Sequence, residues 1–149
     1  MITAPVRQES CWSGPAPCYN SAMIQGIEHT AIASADPHKL AHWYVEHLDF
    51  VINYTSANSK TVFVRASNGS MIEIIEANGA ARPPVDMKNP GLRHLALTVT
   101  DFDAAYRRLK DQGVKFLTEP ATAGGNTTAF FTDPEGNILH LLHREKPLP

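Results

Sequence analysis

Apolar positions along this chain recur at two spacings, one of strands and one of helices. Ile27–Ala33 reads as a short apolar strand with β-branched residues. Asp36 is a good N-cap and Pro37 suits the first helical position. A helix is therefore expected over His38–Leu48, with Leu40, Trp43, Tyr44 and Leu48 on one buried face. Val51–Thr55 and Thr61–Ala66 read as strands, Asn68-Gly69 as a hairpin turn and Ser70–Ala77 as the return strand. The order is β-α-β-β-β. It recurs as Leu92–Val99, a helix Phe102–Gln112 stopped by Gly113, then Val114–Leu117, Thr127–Thr132 and Asn137–His143. Two modules, 24–78 and 91–145, are thus expected in a single domain 23–149, joined by a Pro-rich linker 79–90. Residues 1–22 lack either period and read as a leader or arm.

The two modules are copies. Gly26-Ile27-Glu28-His29-Thr30-Ala31-Ile32 precedes Gly91-Leu92-Arg93-His94-Leu95-Ala96-Leu97 by 65 residues, and Asp36 matches Asp101 at the same offset. At an offset of 67, Thr61-Val62-Phe63-Val64 matches Thr128-Ala129-Phe130-Phe131, Gly69 matches Gly136, and Met71–Ile75 matches Ile138–Leu142. The expected class is α+β: two copies of a small module that share one core.

Four polar residues break the apolar strands. His29 and His94 are equivalent positions, as are Glu73 and His140. A carboxylate inside Met71-Ile72-Glu73-Ile74-Ile75 is costly unless it is paired or bound to a metal. Equivalent residues of two copies related by an approximate two-fold axis can converge on that axis. The expectation is one shared metal site of His29, Glu73, His94 and His140. Imidazole with carboxylate suits Zn, Fe, Ni, Co or Mn rather than Ca or Mg. Glu76 and His143 are also equivalent, but they lie on the opposite face at strand ends and read as solvated. His38 and His42 read as a solvated helix face, and His47 as a favourable charge at a helix C-terminus. If Asn68-Gly69 is a two-residue turn, Val64 faces Glu73 and Phe131 stands beside His140, both lining the cleft. A small, partly apolar ligand is then expected.

Composition narrows the class further. The 149 residues are 43% hydrophobic and 19% charged, which excludes a disordered chain. A net charge of −2 argues against a nucleic-acid partner, and no apolar stretch is long enough to span a bilayer. The two cysteines, Cys11 and Cys18, make neither a zinc pattern nor a disulfide scaffold, so a cytoplasmic location is the default.

From Ile24 to His143 the chain resembles the vicinal oxygen chelate superfamily, the glyoxalase, bleomycin-resistance and extradiol dioxygenase group. The resemblance is carried by the two Gly-x-x-His segments, the Asp36–Phe50 helix, and Phe130-Phe131-Thr132-Asp133-Pro134-Glu135-Gly136-Asn137, similar to that family's turn motif. It implies repeated β-α-β-β-β modules forming a curved mixed sheet around a metal cleft, a divalent metal on His29, Glu73, His94 and His140, and a homodimer. It also implies a metal-dependent lyase or isomerase acting on a small oxygen-chelating substrate through an enediolate, with Glu73, or a metal-bound hydroxide, carrying the proton. Many glyoxalase-like members have Glu where this chain has His140, so a non-haem iron dioxygenase of the extradiol type is the alternative, with His140 as weak ligand or acid-base. A drug-sequestering binding protein is the third reading. Asp49 stands where the family often has Gly, and Asp tolerates the left-handed backbone such a turn needs.

Overall fold

The Asp36 side chain accepts a hydrogen bond from Lys39 N at 3.0 Å, so the first helix, α1, starts at Pro37 and runs to Leu48. The computed structural model describes residues 23–82 and 86–149. The leader and part of the linker lie outside the described residues. Around α1, the first module places strands β1 (His29–Ser34), β2 (Val51–Thr55), β3 (Val62–Arg65) and β4 (Met71–Glu76). The second module repeats this with β5 (Leu95–Thr98), α2 (Phe102–Asp111), β6 (Ala121–Ala123), β7 (Asn126–Thr132) and β8 (Ile138–Arg144). The strand orders are β1-β4-β3-β2 and β5-β8-β7-β6, with the first pair of each parallel and the others antiparallel. The duplication read in the sequence is therefore a duplication of topology. The result is two separate four-stranded mixed sheets rather than one continuous sheet.

Alternation decides what each sheet buries. Val62, Val64, Ile72 and Ile74 turn to the helix side with Leu40, Ala41 and Tyr44, and are at most 5% exposed. Ala129, Phe131, Leu139 and Leu141 do the same in the second module, and both sets belong to one apolar cluster. The first strands start later than their apolar runs, because Ile27 and Leu92, 89% and 70% exposed, have no strand beside them.

The strand expected over Val114–Leu117 does not form as such. Phe116 makes one bridge to Phe131, and Leu117 N–H reaches Phe130 O at 2.7 Å. Thr118 Oγ1 then takes the Phe130 N–H at 3.0 Å, interrupting the backbone ladder. Pro120, which has no N–H to offer, follows, and pairing resumes as Ala121–Ala123. The edge strand of the second sheet thus lies beyond the expected segment.

Polar contacts join the modules across α1 and α2. Tyr44 Oη donates to Asp133 Oδ2 at 3.1 Å, and Ser34 Oγ to Glu135 Oε1 at 2.6 Å. Arg108 grips both oxygens of Asp49 at 3.0 and 2.8 Å and also donates to His47 O. Asp49 is the non-glycine residue at positive φ among the described residues, at 58°. Asp49→Ala keeps that strain and loses Arg108, so we expect a loss of roughly 1–2 kcal/mol in urea unfolding. Asp49→Gly relieves the strain while losing an exposed ion pair, and should stay within about 1 kcal/mol of the parent. Equal losses in the two variants would show that the backbone conformation is not the governing factor.

Candidate functional site

The parallel register of β1 on β4 puts His29 opposite Met71 and Ala31 opposite Glu73. His29 and Glu73 are therefore diagonal neighbours on one face, and His29 Nε2 lies 3.3 Å from Glu73 Oε2. The other ring nitrogen, Nδ1, bonds the Glu28 carboxylate. That contact raises the His29 pKa above its ordinary value, opposed by desolvation and helped by the charges of Glu28 and Glu73. A carboxylate on one imidazole nitrogen orients the ring and leaves the other nitrogen free to act as a ligand. Glu28 is a site residue that sequence reasoning did not assign. Its place immediately before a candidate histidine was the available signal. Glu73 itself is a quarter exposed, so its isolation in the strand costs less than full burial would.

The second half repeats the arrangement with less water. His140 lies in the middle of β8 and is 7% exposed. Its ring stands 4.7 Å from that of His94, centroid to centroid, at 73°. Among the described residues neither His140 nitrogen has a hydrogen-bond partner. Burial lowers its pKa, with the neighbouring His94 and Arg144 adding to the shift. A neutral imidazole with free ring nitrogens is the form that binds a divalent transition metal. On this observation His140 itself is suited to such an ion.

The cleft-lining expectation of Val64 and Phe131 is overturned. Both are fully buried on the helix side. Phe63 stands opposite Glu73, and Phe130 opposite His140. The cause is the turn. Ala66 N–H bonds Ser70 O at 2.9 Å across a three-residue loop, Ser67-Asn68-Gly69, whose Gly69 takes φ 90°. Asp133 N–H bonds Asn137 O at 3.1 Å across the equivalent loop, with Gly136 at φ 78°. One extra loop residue shifts the register by one and exchanges the two faces. The residues beside the site are thus Phe63, edge-on to His29 at 5.3 Å, and Phe130, stacked on His140 at 4.6 Å.

The four candidate ligands are brought together as two pairs, His29 with Glu73 and His94 with His140. Among the described residues, no group of three His, Cys, Asp or Glu gathers closely enough to hold an ion. Glu76 pairs with Lys60, and His143 Nδ1–H donates to Val99 O at 3.4 Å. His47 donates to Trp43 O at 3.0 Å and stacks on the Trp43 ring. His42 lines a cavity of about 420 Å³ beside α1, together with Trp43, Glu46 and Glu135. None of the four candidates lines it. Among the described residues no helix is long and apolar enough to cross a membrane.

Comparison with known proteins places the fold in a family. The family model for the Glyoxalase/Bleomycin resistance protein/Dioxygenase superfamily matches residues 26–141. The Bacillus subtilis protein YwkD, itself uncharacterised, is 32% identical over 128 residues, covering 80% of this chain and 97% of YwkD. A probable lactoylglutathione lyase of Synechocystis is 29% identical over 123 residues, covering 76% of this chain and 92% of that one. Among solved structures, a glyoxylase/bleomycin resistance protein/dioxygenase domain from Frankia superposes with a TM-score of 0.68 at 25% identity, covering 83% of this chain and 96% of the other. With the family model spanning both copies of the module, the chain belongs to the Glyoxalase/Bleomycin resistance protein/Dioxygenase superfamily.

Proposed function

We propose that this chain is a metal-dependent lyase or isomerase of the glyoxalase type, acting on a small oxygen-chelating substrate. The observation that carries the reading is His140: a buried histidine with both ring nitrogens unpartnered, beside His94, at the repeat position of Glu73 beside His29. His29, Glu73, His94 and His140 would hold a divalent ion. When bound, the ion would polarise a carbonyl oxygen as a Lewis acid. Glu73 takes and returns the proton at the carbon next to that carbonyl, as the one carboxylate among the four. Glu28 keeps His29 oriented, and Phe63 and Phe130 shield the site from water.

Joining the two pairs falls, in this proposal, to a second copy of the chain. Support comes from the sheet ends: among the described residues β1 and β5, which carry or follow the two N-terminal histidines, each pair on one side only. A homodimer then sets His29 and Glu73 of one protomer against the second pair of its partner.

A second reading is favoured by the donor set itself. Three imidazoles and one carboxylate also supply the 2-His-1-carboxylate ligation of a non-haem iron dioxygenase. Elemental analysis of anaerobically purified protein, with its mass measured in solution, separates the readings. About one Ni, Co or Zn per chain in a dimer is the expected result. Stoichiometric iron would move the assignment to the dioxygenase. No bound metal at any loading would leave a metal-free binding protein.

A further inference from the structure

Beside the Glu73 half-site the first module carries two polar side chains that, among the described residues, have weak use or none: one makes no ion pair and the other meets only a thioether sulfur. Arg65 lies on β3 opposite Met71, and Met71 lies opposite His29 on its other side. His29, Met71 and Arg65 thus form one row across three strands, on the face that carries Glu73. At ordinary strand spacing, the Cα atoms of His29 and Arg65 are about 10 Å apart. Among the described residues the Arg65 guanidinium makes no ion pair, although Glu73 and Glu28 are on the same module. The second donor is Asn53. The pairing of β2 with β3 is irregular between Ile52 and Tyr54, and Asn53 is the extra residue. A bulge of this kind re-aims a side chain. Here it sends the Asn53 amide toward Met71, where its N–H meets only the thioether sulfur at 3.4 Å, a weak acceptor.

The duplication shows that the fold does not require this cation. The repeat position of Arg65 is Thr132, and β7 pairs with β8 just as β3 pairs with β4. Met71 lies between His29 and Arg65 in that row, and the neighbouring row holds Phe63, opposite Glu73, with Tyr54 edge-on to Phe63 at 5.8 Å.

We propose that Arg65 and Asn53 form an anion-binding rim, and that the substrate is a small acid. One end would present the chelating oxygen pair, a short apolar spacer would cross Met71 and Phe63, and a carboxylate at the other end would meet Arg65. The chelating end rests on the metal-centre reading above; the rim does not. Arg65 is a binding and specificity residue here, since a guanidinium fork matches a carboxylate bidentately.

The test uses a pair of probes with one head group, 2-oxoglutarate and its distal monomethyl ester. Both are titrated calorimetrically into Ni-loaded and EDTA-treated protein. The parent should bind the acid about tenfold or more tightly than the ester. Arg65→Gln should bring that ratio close to one, with ester affinity, metal content and melting temperature unchanged. Arg65→Lys should retain part of the preference, and Asn53→Ala should reduce it by a smaller factor. A ratio near one in the parent, or an undiminished ratio in Arg65→Gln, overturns the rim. Protein that holds no nickel overturns the metal centre instead, and the acid-to-ester ratio of the EDTA-treated protein then decides the rim alone.

Discussion

Glu73→Gln should lose turnover by about 10²- to 10⁴-fold, the range associated with removing a positioned acid-base group. The substitution keeps the shape of the side chain and its place on β4, between the buried Ile72 and Ile74. It removes the one carboxylate among the four candidate ligands. Lyase and dioxygenase chemistry both need that carboxylate, so the loss is expected with α-ketoaldehyde–thiol adducts and with catechols alike. His140→Glu separates the two. It supplies the second carboxylate common among glyoxalase-like relatives, and should keep metal and retain or gain isomerase-type turnover. Oxygenase turnover should collapse in the same variant, because an added anionic ligand fills a position the reaction needs open. The measurement is initial rate at matched metal content. Parent-like turnover by Glu73→Gln would remove both enzyme readings.

The largest stability loss is expected at Asp133. Its carboxylate is 4% exposed and accepts from Tyr44 Oη at 3.1 Å, Asn137 Nδ2 at 2.7 Å and Asn137 N at 2.8 Å. Asp133→Ala leaves the fully buried Tyr44 hydroxyl and the Asn137 side-chain amide without their acceptor. Each orphaned donor costs about 1–3 kcal/mol, so a loss of roughly 3 kcal/mol is expected. In a domain of this size that lowers the melting temperature by roughly 6–12 °C. Tyr44→Phe removes one hydroxyl and should cost about 1 kcal/mol. Burial raises the Asp133 pKa, against the pull of the Asn137 and Tyr44 donors. A raised pKa means that ionisation opposes folding. The stability contributed by the neutral acid is fully present below the unfolded-state pKa and is lost as pH rises through the folded one. The advantage of the parent over Asp133→Ala should therefore shrink from acid toward neutral pH. An Asp133→Ala protein melting within about 2 °C of the parent would refute this role.

The fold was legible because the chain says it twice. Each Gly-x-x-His run, each Asp N-cap and each run around Glu73 and His140 had a counterpart that reinforced a weak local signal. What stayed hidden depended on a single residue of register or on contacts far apart in sequence. Asn68-Gly69 reads as a two-residue turn, and that choice turned Val64 and Phe131 toward the cleft. The second copy held the corrective. Asp133-Pro134-Glu135-Gly136 has Asp and Pro in the first two places of a type I turn and Gly in the left-handed place after it. That is a three-residue loop, and the repeat carries it over to Ser67-Asn68-Gly69. The four candidate ligands were legible as residues, since polar groups in apolar strands at equivalent positions stand out. Their separation into two pairs was not, because spacing along a chain does not say which module meets which. Tyr44 and Asp133, 89 residues apart, had no local signal. Asn53 and Arg65 were passed over for a related reason: a bulge is invisible until two strands are paired.

The single apolar cluster that runs through both modules governs how the molecule comes apart. Tyr44 of the first module and Phe131 of the second are both among its fully buried members. Because the cluster holds buried residues of both modules, separating the halves would expose apolar surface to water. Melting should consequently be cooperative, a single calorimetric transition whose measured and van't Hoff enthalpies agree. The pattern is doubled along the chain, but the shared cluster is expected to make the two halves melt as one.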